Sequence, residues 1–219
     1  MTSTQDLMRE RLLGGDEVHG LVIRAGVQDA GRGRRGLRWS SGPGGSYQTI
    51  AVRDASGAKL ARPQVTLLIA AGIAGALREL KVPALVKWPN DLYLNGRKLG
   101  GILCEYLRRH LLVGVGINVA NDIPADSTRI DGLDAATVGD LVIRGMASGL
   151  ELIEQEAPLP DLFRSVDALA GRVVTTATAN GVKQGVAQGV DAQGRLLVAT
   201  TAGVVPLTAG QELGPVRMR

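Results

Sequence analysis

The run Gly31-Arg32-Gly33-Arg34-Arg35-Gly36 meets the letters of a dinucleotide-binding fingerprint, but Trp39-Ser40-Ser41-Gly42-Pro43-Gly44-Gly45 follows it. That fingerprint needs a helix to begin at the glycines, so that its first amides meet a pyrophosphate. A proline set among three glycines cannot continue such a helix, which excludes a doubly wound dinucleotide fold at this point. A kinase glycine loop fails too, since no valine stands at its expected place after Gly36 and no catalytic-loop signature comes later. What remains is a flexible backbone with open amides and guanidiniums, able to close over a ligand and grip phosphate oxygens in pairs. Taken alone, the run fits a solvated basic turn or an Arg-Gly element for RNA equally well.

Composition narrows the setting. With 219 residues, 45% of them hydrophobic and 21% charged, the chain can bury a core and is expected to make one domain, with room for a small appended one. The longest apolar stretch, residues 65–77, is broken by Thr66 and is shorter than the roughly 20 residues of a membrane span. No signal-peptide apolar region stands at the N-terminus, so no membrane partner and a cytoplasmic location are expected. The single cysteine, Cys104, and two histidines, His19 and His110, cannot assemble a Cys/His metal cluster or an internal disulfide. Net charge is only +4, yet Arg32, Arg34, Arg35 and Arg38 fall together, so an anion, phosphate first, is expected there. Aromatic residues at 3% argue against a stacking platform for single-stranded nucleic acid.

Along the chain, Ser3 reads as the N-cap of a short amphipathic helix closed by Gly14-Gly15, and residues 20–23 read as a strand leading into the Gly/Arg run. Residues 47–52 form the next strand, and Pro63 opens an apolar helix to Leu80. Strands follow over 84–88, 91–94, 98–106 and 111–119, with Asn95-Gly96 a strong hairpin signal. Residues 137–156 carry helical periodicity, with Thr137 and Asp140 as a capping-box variant, and 159–169 read as one further helix. From Gly171 short Val/Thr/Leu runs alternate with glycines in the manner of a small antiparallel barrel. The expected fold is α+β, a mixed sheet with helices packed on it over residues 1–168, followed by a small β-barrel over 169–219, without internal repeat.

Two more stretches carry chemistry: Lys87-Trp88-Pro89-Asn90-Asp91, which runs on through Arg97-Lys98-Leu99-Gly100-Gly101-Ile102-Leu103, and Gly114-Val115-Gly116-Ile117-Asn118. An amide, a carboxylate and an ammonium come together across one hairpin, although Asp91 can equally cap a turn and Lys98 be a solvated strand residue. The Gly/Arg run with Trp39, then K-W-P-N-D with R-K-L-x-G-I-L, then G-x-G-I-N, in this order and spacing, resembles the biotin–protein ligases over nearly the whole chain. Specifically, it resembles a short form without an N-terminal DNA-binding domain. The resemblance implies a class II synthetase-like catalytic fold with an SH3-like C-terminal barrel.

The resemblance also implies a mechanism. Biotin's carboxylate attacks the α-phosphate of ATP, giving biotinyl-5′-AMP and pyrophosphate, and a lysine of a biotin carboxyl carrier protein then displaces AMP. Positioning and electrostatics carry such a reaction, with magnesium expected on the ATP phosphates and no protein metal site assigned. Carried over by residue, Ser3, Thr4, Gln5 and Gln28 look like hydrogen-bonding partners of the biotin ureido ring, together with the backbone around Arg32 and Gly33. Trp39 and the glycines Gly101, Gly114 and Gly116 look like the wall for its apolar body, although Trp39 also reads as plain core. Arg34 resembles the phosphate clamp, and Lys98 the group between biotin's carboxylate and the α-phosphate. Asn90 and Asn118 resemble adenine or ribose contacts, and Asp91 is open to orienting the lysine amine, accepting its proton or holding magnesium indirectly.

The loop between Asn118 and Asp134 contains no aromatic residue, so the adenine stacking of some family members has no donor there. No helix-turn-helix precedes Ser3, so repressor activity is not expected. A homodimer is left open. The rivals are a lipoate ligase or octanoyltransferase of the same fold and, from another class, a nucleic-acid-binding module built on the Arg/Gly run.

Overall fold

The structure is a computed structural model that describes residues 1–55, 59–178, 181–210 and 213. The first helix, α1 (Thr4–Gly14), starts where the sequence places it. Ser3 Oγ accepts from the amides of Gln5 and Asp6, and Gly15 at φ 96° ends the helix in the left-handed region that glycine enters without strain. Met8 and Leu12 of its apolar stripe bury against Val18, Ile23, Ala51 and Leu112. The polar first turn, Ser3, Thr4 and Gln5, is buried as well.

That buried polar turn rests on a six-stranded sheet of β1 (Val22–Ala25), β2 (Ser46–Arg53), β3 (Leu85–Lys87), β4 (Asp91–Leu94), β5 (Arg97–Leu107) and β6 (His110–Ile117). Their order is β1-β2-β6-β5-β4-β3, with every pairing antiparallel. The turn between β4 and β5 puts Asn95 and Gly96 at φ 52° and 77°, the two positive angles that a type I′ hairpin demands. A bulge between Leu92 and Tyr93 then resets the register, so that Tyr93 faces Lys98 while Asp91 faces Gly101.

The other face of the sheet carries α2 (Val65–Glu79) and α3 (Ala135–Glu154). Leu67, Ile69, Ile73 and Leu77 of α2 are fully buried, each contributing about 1.5–3 kcal/mol by leaving water. The two helices approach backbone to backbone through Gly72, Gly145 and Gly149; a Cβ on Gly145 would stand 2.5 Å from Ile73 Cα. The cap of α3 is Asp134, which accepts from the amides of Ala136 and Thr137, so the helix begins earlier than Thr137 suggests. The expected helix over 159–169 is shorter: α4 (Leu159–Arg164) stops, and 166–168 run beside β3 instead, with Val86 N donating to Val166 O at 2.6 Å and Ala168 N to Val86 O at 3.0 Å. The segment thereby pairs the open edge of β3, whose backbone groups would otherwise stand unpaired.

A second sheet of β7 (Val173–Thr178), β8 (Gly181–Val190), β9 (Leu196–Thr200) and β10 (Gly203–Leu207) is antiparallel in the order β10-β9-β8-β7, which fits the SH3-like expectation. Its Val174, Ala187, Leu196, Val198 and Leu207 join the main apolar core. Trp88 Nε1 donates to Gly194 O at 2.9 Å and ties the two sheets together. The predicted end of the barrel, 214–219, lies outside the described residues. Among the described residues no helix is long and apolar enough to cross a membrane.

Candidate active site

Between the first turn of α1, the Gly/Arg run and the glycine-bearing centre of the main sheet lies a cavity of about 400 Å³. Its floor follows from strand register. Gly101 of β5 pairs with Gly116 of β6, and Leu103 with Gly114, so three missing side chains open one patch of sheet. Trp39 lies in that opening. A Cβ on Gly116 would stand 2.4 Å from its Nε1 and one on Gly101 would stand 3.6 Å from its Cζ3. The indole Nε1 is buried and has no hydrogen-bond partner, a cost borne where a ligand acceptor would relieve it.

At one end the cavity is lined with small polar groups. Gln28 Oε1 accepts from Thr4 N at 2.8 Å and from Thr4 Oγ1 at 3.1 Å, while Gln28 Nε2 donates to Ser41 Oγ at 2.8 Å. Thr49 on β2 sits opposite Gly114, and its hydroxyl lies 2.9 Å from Thr4 Oγ1 and 3.2 Å from Gln5 Oε1. This end offers donors and acceptors in fixed directions within a small space.

At the other end stand the charges. Lys98 Nζ lies 2.8 Å from Asp91 Oδ1 and 5.4 Å from the centroid of the Trp39 ring. Arg34 Nη1 donates to Asn90 Oδ1 at 2.9 Å, and Asn90 Nδ2 donates to Ile102 O, which locks the amide orientation. Burial and the neighbouring Arg35 charge pull the Arg34 guanidinium down from its ordinary value, as expected of a cation short of anions.

The Gly/Arg run is not an open string of amides. Gly33 N donates to Leu37 O at 2.7 Å and Trp39 N to Gly31 O at 2.8 Å, making a flap whose tip turns through Arg35 at φ 56° and Gly36 at φ 75°. Gly31 is required by packing, because a Cβ there would meet Ser41 Oγ and Trp39 O at 2.5 Å. Each arginine of the run already has protein acceptors. Arg32 reaches Asp6 and Glu105, Arg34 reaches Ala209 O, Arg35 reaches Gly210 O, and Arg38 reaches Asp29 O.

The structure thus brings Ser3, Thr4, Gln5, Gln28, Arg32, Gly33, Arg34, Trp39, Asn90, Asp91, Lys98, Gly101, Gly114 and Gly116 to one cavity. Asn118 is not among its lining. That side chain donates to Thr128 O at 3.1 Å and accepts from Asn121 Nδ2 at 3.2 Å, holding the loop after β6. Sequence reading missed Thr49, Leu37, Ala209 and Leu213, which also line the cavity. Alternation along β2 could have placed Thr49. No local signal marks Ala209 or Leu213, which arrive from the C-terminal segment. Among the described residues no group of three or more His, Cys, Asp or Glu could hold a metal ion.

A glycine floor with an indole in it, a directed polar end and a lysine–arginine end in one cavity is a distinctive combination, and comparison with known proteins accounts for it. Residues 1–122 match the Biotin/lipoate A/B protein ligase family and residues 170–211 the Biotin protein ligase C terminal domain. The chain belongs to the biotin/lipoate A/B protein ligase family. It is similar to the bifunctional ligase/repressor BirA of Escherichia coli (strain K12), 33% identical over 95% of this chain and 70% of that protein. It is also similar to the biotin–[acetyl-CoA-carboxylase] ligase of Paracoccus denitrificans, 29% identical over 84% of this chain and 87% of that one. Among solved structures, the biotin protein ligase of Aquifex aeolicus in complex with biotin and ATP superposes with a TM-score of 0.81 at 28% identity, covering 97% of this chain and 95% of that one.

Proposed function

We propose that this enzyme activates biotin with ATP to biotinyl-5′-AMP and transfers the biotinyl group to a lysine of a biotin carboxyl carrier protein. The observation that carries the reading is the position of Lys98, between the indole on the glycine floor and Asp91, with Arg34 and Asn90 beyond. Biotin's ureido ring pairs with Ser3, Thr4, Gln5 and Gln28 and with the backbone at Arg32 and Gly33. Its apolar body lies along Trp39 over Gly101, Gly114 and Gly116, which sends its carboxylate toward Lys98.

There the problem is repulsion between a carboxylate and a polyphosphate. Lys98 is a compact cation close enough to both to offset it, and it stabilises the charge that builds on the α-phosphate. Arg34 turns its free N–H groups to the phosphates, and Asn90 contacts the nucleotide. Asn90, which lines the cavity, is the nucleotide contact in this reading, with Asn118 holding the loop after β6. In the second step Asp91, the cavity's one carboxylate among the described residues, orients the acceptor amine or takes its proton. Magnesium suits this donor set as an ion carried by the phosphates, since it keeps most of its waters and asks the protein for one carboxylate at most.

Lipoate is the weaker candidate because a dithiolane ring offers no strong acceptor to the buried Trp39 Nε1 and no amide to the polar end of the cavity. Nucleic acid is no partner in this reading, because Arg32, Arg35 and Arg38 are already bound within the chain and Arg34 lines the cavity. A catalytic unit over 1–168, a barrel over 169–219 and a cytoplasmic location complete the proposal. Light scattering reads whether the enzyme pairs as a homodimer. Pyrophosphate exchange with biotin and then lipoate tests the assignment, and exchange driven by lipoate alone would overturn it.

A further inference from the structure

Glu105 has no role in the chemistry above, yet it touches both elements that close on the polar end of the cavity. It stands on β5 with its side chain 22% exposed. Oε2 accepts from Gln5 Nε2 at 2.8 Å, and Oε1 meets Arg32 Nη2 at 3.2 Å and Arg9 Nη1 at 3.9 Å. Arg32 is forked, since its Nη1 donates to Asp6 Oδ1 at 2.8 Å. One carboxylate therefore holds a glutamine in the first turn of α1 and the arginine at the root of the flap.

An ionised carboxylate can only accept hydrogen bonds, so it dictates which way the Gln5 amide lies. Nε2 must face Glu105. Oε1 then faces the glycine floor, where Thr49 Oγ1 lies 3.2 Å away and a Cβ on Gly114 would stand only 2.6 Å away. Were the amide reversed, two acceptors would touch at Glu105 and a donor would face the floor. The charge on Glu105 thus sets the hydrogen-bonding polarity of one wall of the cavity while tying the flap down through Arg32.

We propose that Glu105 is a positioning residue for biotin capture, fixing the Gln5 amide with its oxygen toward the cavity and pinning Arg32 so that the flap stays closed over the ring. This rests on the biotin-ligase reading. The effect falls on binding of the acid rather than on activation, because Lys98, Arg34 and Asn90 are held by other partners. Glu105→Gln is the informative variant. It keeps the volume, but two facing amides have no preferred direction, and the charge on Arg32 loses one of its acidic partners.

The test compares wild type, Glu105→Gln and Glu105→Ala by calorimetric titration with biotin alone and by pyrophosphate exchange. Loss of a charged hydrogen bond predicts that biotin binds about tenfold or more weakly in both variants. KM for biotin should rise in step, while KM for ATP and kcat at saturating biotin stay at the wild-type level. A folded Glu105→Gln enzyme that binds biotin as wild type does, or that loses biotin and ATP affinity alike, overturns the proposal alone. Wild-type enzyme that gives no heat with biotin overturns the underlying functional reading, and the proposal with it.

Discussion

Lys98 Nζ and Asp91 Oδ1 stand 2.8 Å apart across the β4–β5 hairpin, with the lysine side chain 33% exposed and the carboxylate 22%. Lys98 faces Tyr93 across the hairpin, and Asp91, two residues from Tyr93 along β4, shares that face, so the two side chains meet. A single ion pair that keeps part of its contact with water contributes modestly to stability, on the order of 1 kcal/mol. Its charge is therefore available for chemistry.

Lys98→Ala is expected to fold as wild type does and to lose biotin-dependent pyrophosphate exchange by about a hundredfold or more, the scale of removing one preorganised electrostatic group. Circular dichroism and the exchange assay check this together. Exchange near the wild-type rate in a folded variant contradicts the assigned role.

Gly116→Ala puts a methyl group where Trp39 Nε1 now lies 2.4 Å from the ideal Cβ position. The indole must move off the floor, and biotin affinity should fall about tenfold or more with the loss of its buried contact area. Calorimetric titration measures it. Unchanged affinity would show that Trp39 is core and not wall.

Gly145→Ala acts elsewhere. Its methyl would press on Ile73 Cα at 2.5 Å between α2 and α3, on the sheet face away from the cavity. Overpacking of this kind costs about 1–3 kcal/mol. For a chain of this length that lowers Tm by about 2–4 °C per kcal/mol, which a thermal melt reads directly. KM for biotin should not change; a rise there would show that the two faces are coupled.

Asp167 gives stability a pH dependence. Burial raises its carboxyl above the ordinary value, although Leu169 N donates to Oδ1 at 2.7 Å, because Oδ2 is buried without a partner. The folded state therefore holds its proton more tightly than the unfolded chain does. The stability this brings is full below the unfolded value of about 4 and is lost as pH rises through the folded one. Asp167→Asn removes the loss, so it should match wild type near pH 4 and exceed it at neutral pH in urea denaturation. An equal gap at both pH values would refute this origin.

Much of the architecture was legible without coordinates. Local geometry alone determines the Ser3 cap, the Gly15 stop and the Asn95-Gly96 turn, since each depends on backbone angles or hydrogen bonds within a few residues. The motifs could be listed for the same reason, each lying within one short stretch. Periodicity misplaces the end of α4 and the start of α3, because the needs of the β3 edge and of the Asp134 cap outweigh it.

What the sequence by itself determined is an α+β chain with the residue types for activating an acid on a nucleotide. Only the tertiary structure decided which of them meet. Gly101 and Gly116 share one patch of floor because β5 and β6 pair in one register and no other. Ala209 and Leu213 reach the cavity from a distant part of the chain, and Asn118 bonds within its own loop. Glu105 reads in the sequence as one more strand acid; its hold on Gln5 and Arg32 exists only because α1 and the flap pack over β5, and hydrogen bonds between segments so far apart leave no local trace in a sequence.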